Sequence, residues 1–212
     1  MRIWTIVLSL LLLTRSAAVR TVIIGDSMFW SGPLFWSGQP SPLSRWLESR
    51  AGHAIENHAR VGASLAEGWV ESIPHQYQDV AQRDTITSII MDGGGNDIMS
   101  HRHDCEAWNT ACQTTINASI AIATSLLDTI RHDGIGHVFY LGFYHLPGLE
   151  TAADEASIRM HSLCSENCHF VDPRNNITLA MIGPDGVHPT DEGYRVLAAM
   201  IWEEASVHGI TI

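Results

Sequence analysis

Five short, largely apolar runs separated by stretches of helical periodicity constrain this chain more than any other feature. Thr21–Gly25 (TVIIG), Thr87–Met91 (TSIIM) and His137–Leu141 (HVFYL) are rich in β-branched and aromatic residues, the pattern of strands buried on both faces. His53–His58 and the short His169–Val171 (HFV) complete the set. Between them, Ile116, Ile120, Ala123, Leu127 and Ile130 recur at steps of three or four, one face of a helix with Arg131 and His132 at its end and Gly134 as its stop. A last helix carries Tyr194, Leu197, Ala198, Ile201, Trp202 and Ala205 on one stripe, with Thr190 to cap it and Asp191 and Glu192 in its first turn. Such alternation predicts an α/β fold: a mostly parallel sheet with helices on both faces and ligands at the carboxyl ends of the strands. At 212 residues the chain fits one core better than two.

The N-terminus stands apart. Met1-Arg2, the apolar run Ile3–Leu13 and the small residues Ser16-Ala17-Ala18 read as a secretory signal peptide spanning residues 1–18, leaving a domain of residues 19–212 that is secreted or periplasmic. The run is shorter than the roughly 20 residues of a spanning helix, and a retained N-terminal anchor is the alternative. No later segment is long and apolar enough to cross a membrane.

All 12 basic residues are Arg, against 23 acids; loss of Arg2 and Arg15 with the signal takes the net charge from −11 to −13. Such a surface repels nucleic-acid phosphates, so no nucleic-acid partner is expected. Cys105, Cys112, Cys164 and Cys168 suggest two disulfides in an exported chain, with the local pairs Cys105–Cys112 and Cys164–Cys168 favoured among the three pairings. The rival is a zinc-like cluster of His161, Cys164, Cys168 and His169.

Four short blocks carry chemistry. Gly25-Asp26-Ser27 follows the first strand, and a serine there needs a neighbouring base to act as a nucleophile. His188 is that base: Pro189 biases its backbone away from the helical region, and Asp185, three residues before it, is spaced to orient its ring. The Ser27 N–H, the Gly62 N–H and the Asn96 amide (in Gly93-Gly94-Gly95-Asn96-Asp97) are candidate donors to the oxygen of a tetrahedral intermediate. Taken singly, each block also reads as ordinary turn chemistry.

On the residues Ser27, Gly62, Asn96 and His188, with Gly-x-Asn-Asp and Asp-x-x-His-Pro as the specific parts, the chain resembles the SGNH hydrolases, the GDSL family of esterases and lipases. The resemblance implies a three-layer α/β/α sandwich like flavodoxin's with about five parallel strands. It also implies a Ser27–His188–Asp185 triad and an oxyanion hole of Ser27, Gly62 and Asn96. Met28 stands where the family has leucine, a volume-conserving change.

The expected activity is a serine esterase acting on small-molecule or glycan esters, with short acyl chains favoured and no cofactor or metal required. A carbohydrate O-acetylesterase, a lipase or a thioesterase are alternatives within the family. A non-catalytic carbohydrate-binding module on the same fold is the alternative from another class. Substrate-binding candidates are Met28, Trp30, Phe35 and Trp36, in a loop with a tandem Phe-Trp-Ser-Gly echo. The segment Ser100–Cys105 (SHRHDC) holds His101, His103 and Asp104; it reads as a solvated loop pinned by a disulfide, with a metal-dependent hydrolase as the competing idea.

Overall fold

The computed structural model describes residues 19–32, 41–66 and 68–212, and in it the five runs pair into one sheet. β1 (Thr21–Ile24), β2 (Glu56–Asn57), β3 (Ser88–Met91), β4 (His137–Leu141) and β5 (Cys168–Val171) are all parallel, in the order β2-β1-β3-β4-β5. The second strand is two residues long rather than the six of the expected run. It is an edge strand flanked by polar residues, and past it the chain stays against β1 through the His58 N–H on the Ile23 carbonyl at 2.8 Å and the Arg60 N–H on the Gly25 carbonyl at 3.0 Å.

The helices are α1 (Pro42–Ala51), α2 (Ile73–Asp79), α3 (Gly95–Ser100), α4 (Arg102–Glu106), α5 (Thr110–His132), α6 (Glu150–Leu163) and α7 (Asp191–Val207). Strand side chains alternate between the two faces, which builds two cores. Val22, Ile24, Ile89 and Met91 pack against α2 and α5 through Tyr77, Ala123, Leu127 and Ile130. Ile23, Ile90 and Phe139 pack against α1 and α7 through Leu43, Leu47, Leu197 and Ile201. The result is the three-layer α/β/α sandwich.

Both helices read from periodicity end where their sequences say. α5 stops at His132, just before Gly134, and the Thr190 hydroxyl accepts the Gly193 N–H at 3.4 Å to cap α7. Trp202, on the α7 stripe, is half-buried beneath the Arg50 guanidinium.

Cys105–Cys112 ties α4 to the start of α5, and Cys164–Cys168 closes the turn into β5. The second bond removes the zinc-like cluster, because both of its thiols are oxidised into a disulfide. The SHRHDC segment is helical rather than an open loop, forming the end of α3 and most of α4. Asp104 there accepts the Asn109 side-chain amide, and His101, His103 and Asp104 do not converge as metal ligands among the described residues. No helix among the described residues is long and apolar enough to cross a membrane. The signal-peptide reading of residues 1–18 falls outside the described residues.

Candidate active site

Gly25 ends β1 with φ +145°, and a Cβ there would lie 2.1 Å from Asp92 Oδ1, so the backbone turns where only glycine fits. Gln76, from α2, grips that peptide from both sides: its Oε1 accepts the Gly25 N–H at 2.8 Å and its Nε2 donates to the Gly25 carbonyl at 2.9 Å. The next residues form a tight turn in which the Phe29 N–H reaches the Asp26 carbonyl and the Met28 N–H reaches Asp26 Oδ1 at 2.8 Å. Ser27 rides on this turn at the carboxyl edge of the sheet.

His188 arrives from 161 residues away. Its loop is clasped by an antiparallel bridge between Ile182 and Pro189, by the Gly183 N–H on the His188 carbonyl at 2.7 Å, and by the Tyr144 hydroxyl on the Val187 carbonyl at 2.6 Å. Asp185 turns back on this loop: its Oδ1 accepts the Val187 and His188 N–H groups at 3.0 and 2.9 Å, and its Oδ2 lies 2.7 Å from His188 Nδ1. A carboxylate only accepts, so Nδ1 carries the proton and Nε2 presents its lone pair to the Ser27 hydroxyl, 2.8 Å away. Partial burial alone would raise the Asp185 carboxyl; the two N–H groups and the His188 ring together outweigh it and hold it below the usual carboxylate range. Serine, imidazole and carboxylate are thus in continuous hydrogen-bond contact, the arrangement that lets a hydroxyl lose its proton as it attacks.

The candidate oxyanion donors converge on the same edge. Gly62, with φ +79°, sits third in a turn closed by the Ala63 N–H on the Arg60 carbonyl, and the Arg60 N–H anchors that turn to the Gly25 carbonyl at 3.0 Å. Asn96 is the second residue of α3; its amide nitrogen donates to the Ala63 carbonyl at 2.8 Å and to Asp26 Oδ2 at 3.0 Å. The Asn96 amide therefore links the Ser27 turn to the Gly62 turn.

Beneath these turns lie three nearly buried acids, Asp26, Asp92 and Asp97. Asp97 accepts the Leu65 and Ala66 N–H groups at 2.9 Å each, fixing the chain beyond Gly62. Asp92 Oδ1 accepts the Asp26 N–H at 2.9 Å. Burial raises both the Asp26 and the Asp92 carboxyls, Asp92 well above its ordinary value because the neighbouring Asp26 charge adds to burial, whereas Asp26 also accepts from Met28 and Asn96. Sequence reasoning missed Asp92, Gln76 and Tyr144. An acid at the end of a buried strand was a usable signal for Asp92; nothing local marks Gln76 or Tyr144.

A cavity of about 310 Å³ opens beside Ser27 and His188. Its wall is dominated by Ile98, Met99, Phe143, Leu146, Leu149 and Ala153. Of the substrate-binding candidates, Met28 lines it and Trp30 lies outside its lining, with the Arg60 guanidinium over its ring at 5.7 Å. Phe35 and Trp36 lie outside the described residues.

Residues 23–196 match the GDSL-like Lipase/Acylhydrolase family. The chain belongs to that family and is an acylhydrolase. No curated protein matches it in sequence. Among solved structures it is similar to the lipase Lip_vut3 from a goat rumen metagenome, with 14% identity over 88% of this chain and 97% of that one and a TM-score of 0.68. A family two carbohydrate esterase from Clostridium thermocellum is similar with 14% identity over 91% of this chain and 65% of that one, at a TM-score of 0.66. An acetylxylan esterase from Geobacillus stearothermophilus is similar with 13% identity over 89% and 94% of the two chains, also at 0.66. At these identities the likeness is one of fold.

Proposed function

We propose that this acylhydrolase cleaves carboxylic esters of short hydrocarbon acids, longer than acetate, with Ser27 as nucleophile. The observation that carries the reading is the unbroken contact from Ser27 Oγ to His188 Nε2 and from His188 Nδ1 to Asp185 at the mouth of an apolar cavity.

Ser27 Oγ attacks the ester carbonyl carbon while His188 Nε2 takes its proton, and Asp185 stabilises the imidazolium. The oxyanion draws on the Ser27 and Gly62 N–H groups and on the Asn96 amide hydrogen now given to Asp26. Collapse of the intermediate breaks the ester C–O bond, and the alcohol leaves with the proton held by His188. A water then gives a proton to His188, attacks the acyl-Ser27 carbonyl, and releases the acid as Ser27 recovers its proton.

The acyl chain is read from the cavity wall. A small volume near the lower end of ligand pockets, about 300–1,000 Å³, suits a short chain. Its aliphatic and aromatic lining rewards methylenes rather than sugar hydroxyls, each buried CH₂ contributing about 0.8 kcal/mol. Export is part of the same reading, supported by the two disulfides and the Met1–Ala18 composition.

Aryl esters from acetyl to dodecanoyl, assayed beside an acetylated xylan, test this. The expected kcat/KM rises about fourfold per methylene beyond acetyl until the cavity fills, then falls. A maximum at acetyl with faster turnover of the acetylated glycan would overturn the substrate assignment.

A further inference from the structure

At the amino ends of β4 and β5, on the edge opposite Ser27, three imidazoles and a carboxylate come together from three elements. His137 opens β4 and His169 is the second residue of β5. The register pairs Phe139 with His169, so His137, Phe139 and His169 share the sheet face that turns toward α7. The end of α7 supplies Glu204 and, one turn on, its capping residue His208.

His208 Nε2 lies 3.1 Å and His169 Nδ1 4.0 Å from the same oxygen, Glu204 Oε1, and the ligand atoms of all three residues fall within 4.8 Å of one another. A tetrahedral ion with ligand bonds of about 2.0–2.1 Å needs ligand separations of roughly 3.3 Å. The trio is therefore within about 1.5 Å of a closed shell, and of its two outer members at the end of α7, Glu204 is half-buried and His208 is exposed. The fixed member is His169, whose side chain is only 9% exposed. Phe139 stacks on its ring, and the Cys164–Cys168 bond clamps the turn just before it.

The outer partner is also in place. His169 Nε2 lies 3.3 Å from His137 Nδ1, so the His169 nitrogen turned away from Glu204 has a hydrogen-bond partner. A hydrogen bond to the outer nitrogen of a metal-ligating histidine fixes its tautomer and aims its other nitrogen at the ion. The helix end adds carbonyl dipoles that favour a cation.

We propose that His169 Nδ1, His208 Nε2 and Glu204 form a site for a borderline divalent cation, Zn²⁺ by donor set, with water completing the shell and His137 as positioning residue. The ion clasps the end of α7 to the edge strand β5. Being on the opposite edge from Ser27, it stabilises the fold and takes no part in ester hydrolysis. A second grouping, His75 and Asp79 on α2 with Glu71 just before it, has His75 and Asp79 exposed and serves as the internal control.

The test is Zn²⁺ titration calorimetry on chelator-stripped protein, with Co²⁺ absorption and thermal melting alongside. The expected result is one Zn²⁺ per chain, tetrahedral Co²⁺ bands, and a Tm raised by roughly 5–10 °C at zinc 100-fold above Kd. His208→Ala, an exposed substitution, should weaken binding at least about 100-fold, and His137→Ala about 10- to 100-fold. Equal binding by wild type and His208→Ala would overturn the site, as would binding lost only in His75→Ala. Ester turnover that falls on chelation would overturn the structural role.

Discussion

The two edges of one sheet are built from different materials. At the carboxyl edge each acid has an oxygen that accepts from backbone N–H groups, and three of the four are buried: Asp26 accepts from Met28, Asp92 from Asp26, Asp97 from Leu65 and Ala66, and the more exposed Asp185 from Val187 and His188. Glycine turns bring those N–H groups into range. At the amino edge, His137 and His169 stand on regular strands and meet Glu204 and His208 at a helix end, held by ring contacts rather than by peptide groups. A nucleophile needs a fixed local field, which the carboxyl edge supplies. The amino edge offers ligand atoms on side chains that can still move, which suits an ion and not a reaction.

Substitutions that divide the edges should divide the phenotypes. His188→Ala is expected to lower kcat by about 10⁴–10⁶, and Asp185→Asn by about 10⁴ because the ring loses its tautomer, while His208→Ala leaves kcat unchanged. Steady-state kinetics on one aryl ester compares all three, and a tenfold loss in His208→Ala would join the edges that are here kept apart. Asn96→Ala should fall between, at about 10²–10³ in kcat, since it removes a donor and leaves the relay intact.

The smallest effect is on stability and has a sign. The folded Asp92 carboxyl sits well above its ordinary value of 3.8, so the folded state holds a proton that the unfolded chain releases. Its stabilising contribution is complete below pH 3.8 and is lost as pH rises toward the folded value. Asp185, held low, acts in the opposite sense: its contribution is present above the ordinary carboxylate range and is lost as pH falls through the folded value. Urea unfolding at pH 5 and pH 8 should show Asp92→Asn losing less stability on the alkaline side than wild type, because the amide has no proton to release. An equal loss in both would place the proton elsewhere.

What the sequence made legible follows the same division. The central strands β1, β3 and β4 and helices α5 and α7 were readable because their burial is periodic and local. The Ser27, Asn96 and His188 blocks were readable because turn chemistry packs each into a few contiguous residues. Asp185 was readable from its spacing to His188. Gln76, Asp92 and Tyr144 were not, since each acts through one contact across the fold. The apolar cavity was not legible for a similar reason: its described wall draws on α3, the segment after β4 and α6, which only the fold brings together. His169 was noticed as a partner for Cys164 and Cys168, but the disulfide claims both thiols. Its actual neighbours, Glu204 and His208, lie on a helix whose register against β5 no local pattern reveals.

The most direct test of Ser27 as the nucleophile is intact-mass analysis after exposure to an alkyl fluorophosphonate, which traps a serine activated by a neighbouring base. One adduct per chain, mapped to Ser27, slowed sharply in His188→Ala and absent in Ser27→Ala, is the expected result. An adduct on another residue, or full ester turnover by Ser27→Ala, would contradict it.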